Sequence, residues 1–355
     1  MLYYRIRHET RFEYATPIRE ALGELRLRPR DERGQACLQF DLSIKPRVRS
    51  HAYRDFLGNH VHHYSVPQTH ISQTVTAESL VRLDSSPAWP DALPPDTWDR
   101  YDALTQSVEN WDYAHPSTFA KPSDALIELA KTLDIAKHDD PLTTARHACQ
   151  QVYDHFTYQP DTTHVDSPID EAIADRGGVC QDFAHILTAL LRRLGIPTRY
   201  VSGYLHTKRA NPPHLATPLF DPPAAAEDPE EQSIDATESS DADASHAWTE
   251  ALLPTLGWVG FDPTHNEIVT THHIRVAVGR DYADVPPTRG VYRGNATSDM
   301  QVAVHVERLE ELPQSFRQPY APLGWIPPDP PQEMPEEPQP FEYYAQQMQQ
   351  QQAAL

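Results

Sequence analysis

Three residues stand in surroundings that suit covalent chemistry. Cys180 ends the run Gly177-Gly178-Val179-Cys180, His246 lies in Ser245-His246-Ala247-Trp248, and Asp262 lies in Gly260-Phe261-Asp262-Pro263-Thr264. A thiol, an imidazole and a carboxylate are the set that acyl transfer through a thioester requires. The thiolate attacks a carbonyl carbon, the imidazole takes and returns the proton, and the carboxylate orients the ring. The natural acyl donor is an amide.

Each residue has a plainer reading when taken alone. A cysteine in a helix is usually a small core side chain. Cys180 differs in three ways. The two glycines before it permit a sharp turn and a close backbone approach. Its place at a helix start sets it among unpaired N–H groups, which favour a thiolate. The apolar stripe Phe183, Leu187, Leu190, Leu191, Leu194 begins after it, so the sulfur can sit at the mouth of a cleft. Cys37 and Cys149 lack this context and read as structural. His246 is one of 19 histidines, but it opens an apolar strand with Trp248 two residues on. Asp262 ends an apolar strand, where it could also serve as a turn cap before Pro263. An oxyanion hole needs N–H donors. The Cys180 amide is the first, and Tyr158 or Gln181 are candidates for the second. Asp182 and His185, close to Cys180, read as structural.

The elements that must position this trio fall into two groups. Residues 1–85 read as strands by period-two alternation, in Tyr4–His8, Arg11–Tyr14, Leu25–Arg28, Leu38–Ile44 and Ser72–Leu83, with a hairpin turn at Phe56–His60. This predicts an antiparallel β-sandwich. Residues 86–122, rich in proline and holding Trp89, Trp98 and Trp111, read as a surface connector. Helical spacing starts at the N-cap Ser123, resumes over Leu142–His155 and again from Cys180, and stops at Gly195 and Pro197. Strands follow at Arg199–Leu205, Ala247–Leu253 and Trp258–Asp262. Helices first and strands after indicate an α+β core over 123–310. Residues 221–245 are rich in Asp and Glu, without Lys or Arg, and suggest a disordered insertion or an acidic lid. Residues 311–355 form a Pro- and Gln-rich tail.

The bulk numbers narrow the function. Of 355 residues, 39% are hydrophobic and 34 are proline, so long non-core segments accompany the globular part. A formal charge of −21 argues against nucleic acid and anionic membrane surfaces as partners. Met1–Tyr14 lacks the apolar segment of a signal peptide, and the three scattered cysteines form no disulfide pattern, so a cytoplasmic location is expected. No cofactor and no metal are expected. His60, His62 and His63, and the pair His272-His273, have no further ligands at suitable spacing and read as solvated strand residues.

Arg176–Ala184, Leu194–Tyr204, His246-Ala247-Trp248 and Trp258–Thr264 together resemble the bacterial transglutaminase-like family, whose members are often described as cysteine proteases. Tyr4–Thr10, Leu25–Arg30 and Arg275–Val285 extend the resemblance over roughly residues 1–310. It implies a β-sandwich before a papain-like core, with Cys180 as nucleophile, His246 as base and Asp262 as its orienting partner. A protein or peptide substrate follows, with hydrolysis favoured slightly over amine crosslinking. A catalytically silent binding or scaffold protein is the alternative. The arylamine N-acetyltransferases share such a trio, but their cysteine should come near the chain start with no β domain before it. The acidic insertion and the tail depart from the family pattern without touching the trio.

Overall fold

The computed structural model describes residues 1–32, 34–85, 88–160, 163–206 and 245–313. The acidic stretch expected over 221–245, apart from Ser245, and the tail beyond residue 313 lie outside them.

The first six strands are β1 (Leu2–Ile18), β2 (Glu20–Leu25), β3 (Gln35–Lys45), β4 (Ser50–Arg54), β5 (His60–Val66) and β6 (His70–Leu83). Alternation places Tyr4, Ile6, His8 and Thr10 of β1 inward, while Arg5, Arg7, Glu9 and Arg11 face outward. The expected turn joins β4 to β5. Asp55 accepts the amides of Leu57 (3.0 Å) and Asn59 (2.8 Å), and Gly58 takes the left-handed conformation there at φ +78°. Ile18, Ala21, Leu25, Ile44, Tyr64, Val66, Val75 and Ala77 fill the space between two antiparallel sheets.

Both sheets are completed by the far end of the chain. Strands β7 (Thr157–Tyr158), β8 (Gly177–Gly178), β9 (Thr198–Leu205), β10 (Ser245–Leu253), β11 (Gly257–Asp262), β12 (Glu267–Ile268) and β13 (His273–Gly279) precede β14 (Thr288–Arg293) and β15 (Ser298–Leu309). The sandwich sheets run β15-β1-β6-β3 and β14-β2-β5-β4. This corrects the expectation that residues up to 310 belong to the core. The β15 register runs from Tyr3↔Leu309 to Tyr14↔Ser298, and Val306 is buried beside Ile6. The long β1 would otherwise present an unpaired edge.

The core holds α1 (Tyr101–Gln106), α2 (Trp111–Ala114), α3 (Asp124–Thr132), α4 (Pro141–His155), α5 (Ile169–Asp175) and α6 (Cys180–Arg193). Ser123 caps α3 by accepting the Leu126 amide, and Asp140 caps α4 by accepting those of Leu142 and Thr143. The segment read as a surface connector is partly internal. Leu93, Tyr101, Tyr113 and Ala120 are buried, and the Tyr101 hydroxyl donates to the Leu252 carbonyl at 2.9 Å. Helix α6 is buried from Gln181 to Arg192 between the other helices and a five-stranded sheet, β12-β11-β10-β9-β13. Gly195, at φ +83°, ends it as the expected stop.

Met1–Glu310 forms one compact unit. Two side-chain amides of the sandwich grip β13 as a strand would. Asn59 donates to Val278 O (2.9 Å) and accepts Val278 N–H (2.8 Å), and Gln35 does the same with Arg275 (2.8 and 2.9 Å). Buried Glu250 on β10 binds Arg199 and Arg275, which also face Glu32 of the sandwich. Among the described residues no helix is long and apolar enough to cross a membrane.

Candidate active site

The three expected residues converge. Cys180 is the first residue of α6 and is partly exposed, while His246 opens β10 and Asp262 ends β11. Thr249 ties β10 to the helix, donating to Ala184 O at 2.9 Å and meeting Thr188 at 3.1 Å. These contacts fix the distance between the thiol and the ring. His246 Nε2 lies 2.8 Å from Asp262 Oδ2, and the Cys180 thiol lies near enough to the same ring to favour its protonated form. With Nε2 engaged, Nδ1 is the nitrogen left to the sulfur.

The electrostatics follow from burial and pairing. Burial works against a charged His246, but the Asp262 carboxylate and the Cys180 thiol raise it to about 10. Burial would also raise Asp262, yet the charge of His246 and three imidazole hydrogen bonds hold it well below the carboxylate range. The arrangement can draw a proton from sulfur onto His246 and keep the imidazolium against a carboxylate.

Two members of this site were not anticipated. Asp262 Oδ2 also meets His265 Nδ1 at 2.9 Å and His273 Nε2 at 3.1 Å, while Oδ1 accepts the Thr264 amide. His273 is buried, and desolvation lowers it to about 4 against the pull of Asp262, so it is neutral. His273 Nδ1 faces the Thr270 amide at 3.4 Å. That nitrogen must accept, so Nε2 carries the hydrogen and donates to Asp262. His265 was visible as an imidazole three residues after Asp262 in a turn. His273 was read with His272 as a solvated strand residue; it instead reaches Asp262 from β13, which β10 and β9 separate from β11 in the sheet.

The glycines before Cys180 act differently from the expected turn. Neither Gly177 nor Gly178 has positive φ; the left-handed residue is Arg176, at φ +49°. Gly177 and Gly178 form β8 and pair in parallel with Thr157 and Tyr158 of β7. A Cβ on Gly178 would lie 2.6 Å from Asp182 Oδ2, and one on Gly177 would lie 2.8 Å from the Gln159 side chain. Close packing, not backbone freedom, requires glycine here.

Asp182 and His185 have the structural settings read for them. Asp182 Oδ2 accepts the Val179 amide (2.9 Å) and the Thr163 hydroxyl (2.7 Å), which secures the strand-to-helix junction. His185 is fully buried, accepts the Tyr282 amide at 3.1 Å, and is pushed down to about 3 by desolvation. Gln181 donates to Val165 O at 3.0 Å, which commits its amide away from an oxyanion. Tyr158 sits opposite Gly178 and packs edge-on to Phe183. His60 faces the cation of Arg28, and among the described residues the imidazole–carboxylate groups of ligand spacing gather on Asp262 instead.

Residues 128–263 match the transglutaminase-like superfamily, and residues 4–82 match the bacterial transglutaminase-like N-terminal region. A protein of Mycobacterium leprae (strain TN) is 32% identical over 312 residues, covering 86% of this chain and 98% of that one. The chain belongs to the bacterial transglutaminase-like family. A solved structure from Cytophaga hutchinsonii, described as a candidate cysteine protease, superposes with a TM-score of 0.63 at 18% identity, covering 87% of this chain and 91% of that one. At that identity the likeness is one of fold, and it agrees with a papain-like α+β core behind a β-sandwich. A protein-glutamine gamma-glutamyltransferase of Pseudomonas aeruginosa is 30% identical over 112 residues, which is 31% of this chain and 13% of that one.

Proposed function

We propose that this chain performs thiol-dependent acyl transfer on an amide or peptide bond, with Cys180 as nucleophile, His246 as base and acid, and Asp262 as the group that orients and charges the ring. The observation that carries this reading is the His246 imidazole held between two partners, Asp262 Oδ2 at 2.8 Å and the Cys180 thiol.

The thiol proton passes to His246, and the thiolate sulfur attacks the carbonyl carbon. The Cys180 backbone N–H, at the start of α6, faces the developing oxyanion. Tyr158, on the strand beside Gly178, is the second donor we favour over Gln181, whose amide is already bonded to Val165 O. Collapse breaks the C–N bond, and His246 returns the proton to the leaving amine. An acceptor then attacks the thioester, losing a proton to His246, and the thiol is restored. Water as acceptor gives a carboxylic acid; an amine gives a new amide. We favour water slightly, and a protein or peptide as substrate.

Iodoacetamide labelling across pH, followed by mass spectrometry, tests the pair. Cys180 should react fast at pH values well below the ordinary thiol pKa of about 8.5, and lose this in His246→Ala. A Cys180 that reacts like a free thiol would leave a silent binding module as the better reading. Incubation with a glutamine peptide plus a primary amine separates the acceptors. Ammonia release without amine incorporation marks hydrolysis.

A further inference from the structure

We propose that the imidazole–carboxylate nest behind His246 binds a divalent transition-metal ion of zinc type, held by His246, Asp262 and His265, and that occupancy switches the base off. The effect on turnover rests on the acyl-transfer reading; the binding does not.

The nest is unusually dense. Three ring nitrogens lie within 3.1 Å of Asp262 Oδ2, and the ligand atoms of His246, Asp262 and His265 lie within 4.8 Å of one another. A carboxylate oxygen offers about two lone-pair directions, so three N–H donors overfill it. A zinc ion takes nitrogen and oxygen at about 2.0–2.2 Å, which puts tetrahedral ligands about 3.4 Å apart. The 2.8 and 2.9 Å contacts therefore need to open by only about half an ångström.

Tautomer chemistry selects these ligands from a second group, Asp262, Glu267 and His273. His273 Nδ1 accepts from Thr270 N–H, so its Nε2 keeps its hydrogen and cannot ligate without losing that bond. It stays a donor to Asp262, the usual partner behind a metal-bound carboxylate. His265 has no such constraint. Its hydrogen can move from Nδ1 to Nε2, which frees Nδ1 for the metal. The His265 side chain is 44% exposed and that of Glu267 41%, so an ion has a path in and a negative escort beside it. Solvent on the His265 side completes the fourth position.

The consequence falls on His246. Metal at Nε2 forces the ring hydrogen onto Nδ1, the nitrogen facing Cys180. A ring held with its hydrogen there leaves an existing thiolate intact but cannot take the proton of the water or amine that must attack the thioester, so turnover stops. No bond is made to substrate and no electron is transferred: the His246 Nε2 proton leaves to solvent, the His265 hydrogen moves to its Nε2, and three coordinate bonds form.

The experiment uses the full chain with zinc chloride and cobalt(II) chloride. Zinc should slow ammonia release from the glutamine peptide at least tenfold, reversibly with a chelator, while iodoacetamide labelling of Cys180 stays fast. His265→Ala should raise the zinc concentration needed at least tenfold. Cobalt should give tetrahedral visible bands, equal in wild type and Cys180→Ala and lost in Asp262→Asn, without a thiolate charge-transfer band. Zinc inhibition unchanged in His265→Ala, or a cobalt spectrum that depends on Cys180, would overturn the proposal. The cobalt spectrum of Cys180→Ala is readable whether or not Cys180 is reactive, so the metal site and the acyl-transfer reading fail separately.

Discussion

Asp262 serves three imidazoles with one carboxylate, and their different settings divide the work. His246 can become charged because it faces both a carboxylate and a thiol; His273 is buried, desolvation outweighs the pull of Asp262, and it stays neutral. His273 thus fixes the carboxylate, which in the proposed reaction leaves His246 to exchange protons. Asp262→Asn should remove the charge that sustains the imidazolium. Cys180 alkylation near pH 6 should then fall by on the order of 10³-fold, with near-neutral circular dichroism unchanged. His273→Phe should cost about tenfold in the same rate, within the range for lost support behind a reacting group, and His273→Gln should recover part of it. If neither variant alters the pH profile, the anchoring role is wrong. Cys180, His246 and Asp262 were legible from sequence because each carries a local signature at an element end. His273 was not, because two strands separate its own from its partner's and no local pattern announces it.

At the scale of elements, the site depends on how α6 and β13 are seated. The β7–β8 pairing and the Asp182 cap fix the turn into α6. Gly178→Ala places a methyl 2.6 Å from the Asp182 carboxylate. Overpacking of this kind costs about 1–3 kcal/mol, and the shift would move Cys180. Both a lower denaturation midpoint and slower alkylation are expected, with thermal melts and labelling as the measurements. The grip of Asn59 on β13 is a second control. Asn59→Ala strands the Val278 amide and carbonyl, which costs about 1–3 kcal/mol in urea unfolding. The N-cap Ser123 and the stop Gly195 were readable because each acts locally; the Asp140 cap was shown by the structure. The role of Gly177 and Gly178 was misread as backbone freedom, since the side chains that crowd them come from Gln159 and Asp182 only after folding.

For the whole molecule, the sandwich and the core share one buried boundary. His8 of β1 bonds Tyr204 of β9 at 3.0 Å, and Tyr4 and Ile6 pack with Ile274 and Val276. Desolvation lowers His8 to about 4, as it lowers His185 to about 3. For a histidine lowered on folding, the stabilisation is present above the unfolded value of about 6.5. It is lost as pH falls through that value toward the folded one. Each of these rings therefore withdraws on the order of 3 kcal/mol as the pH approaches 4. The melting temperature should drop by several degrees between pH 7 and pH 4. His8→Gln, which cannot titrate, should flatten part of that slope; an unchanged slope would show that His8 is charged or solvated in the folded chain. Asp262 acts with the same sign at lower pH, since its depressed value makes its contribution vanish only in strong acid.

What the sequence determined by itself was local in origin. Period-two runs marked the sandwich strands, the stripe after Cys180 marked the buried helix, and the trio stood at element ends where side chains reach a cleft. The tertiary structure decided what depends on distant pairing. It returned residues 288–309 to the N-terminal sheets through the β14 and β15 ladders. It folded part of the 86–122 segment into the core, and it brought His265 and His273 onto the carboxylate of Asp262. Alternation tells which face of a strand is apolar, but not which strand it joins. That choice is made by sheet edges and buried hydrogen-bond groups that exist only once the chain has closed on itself.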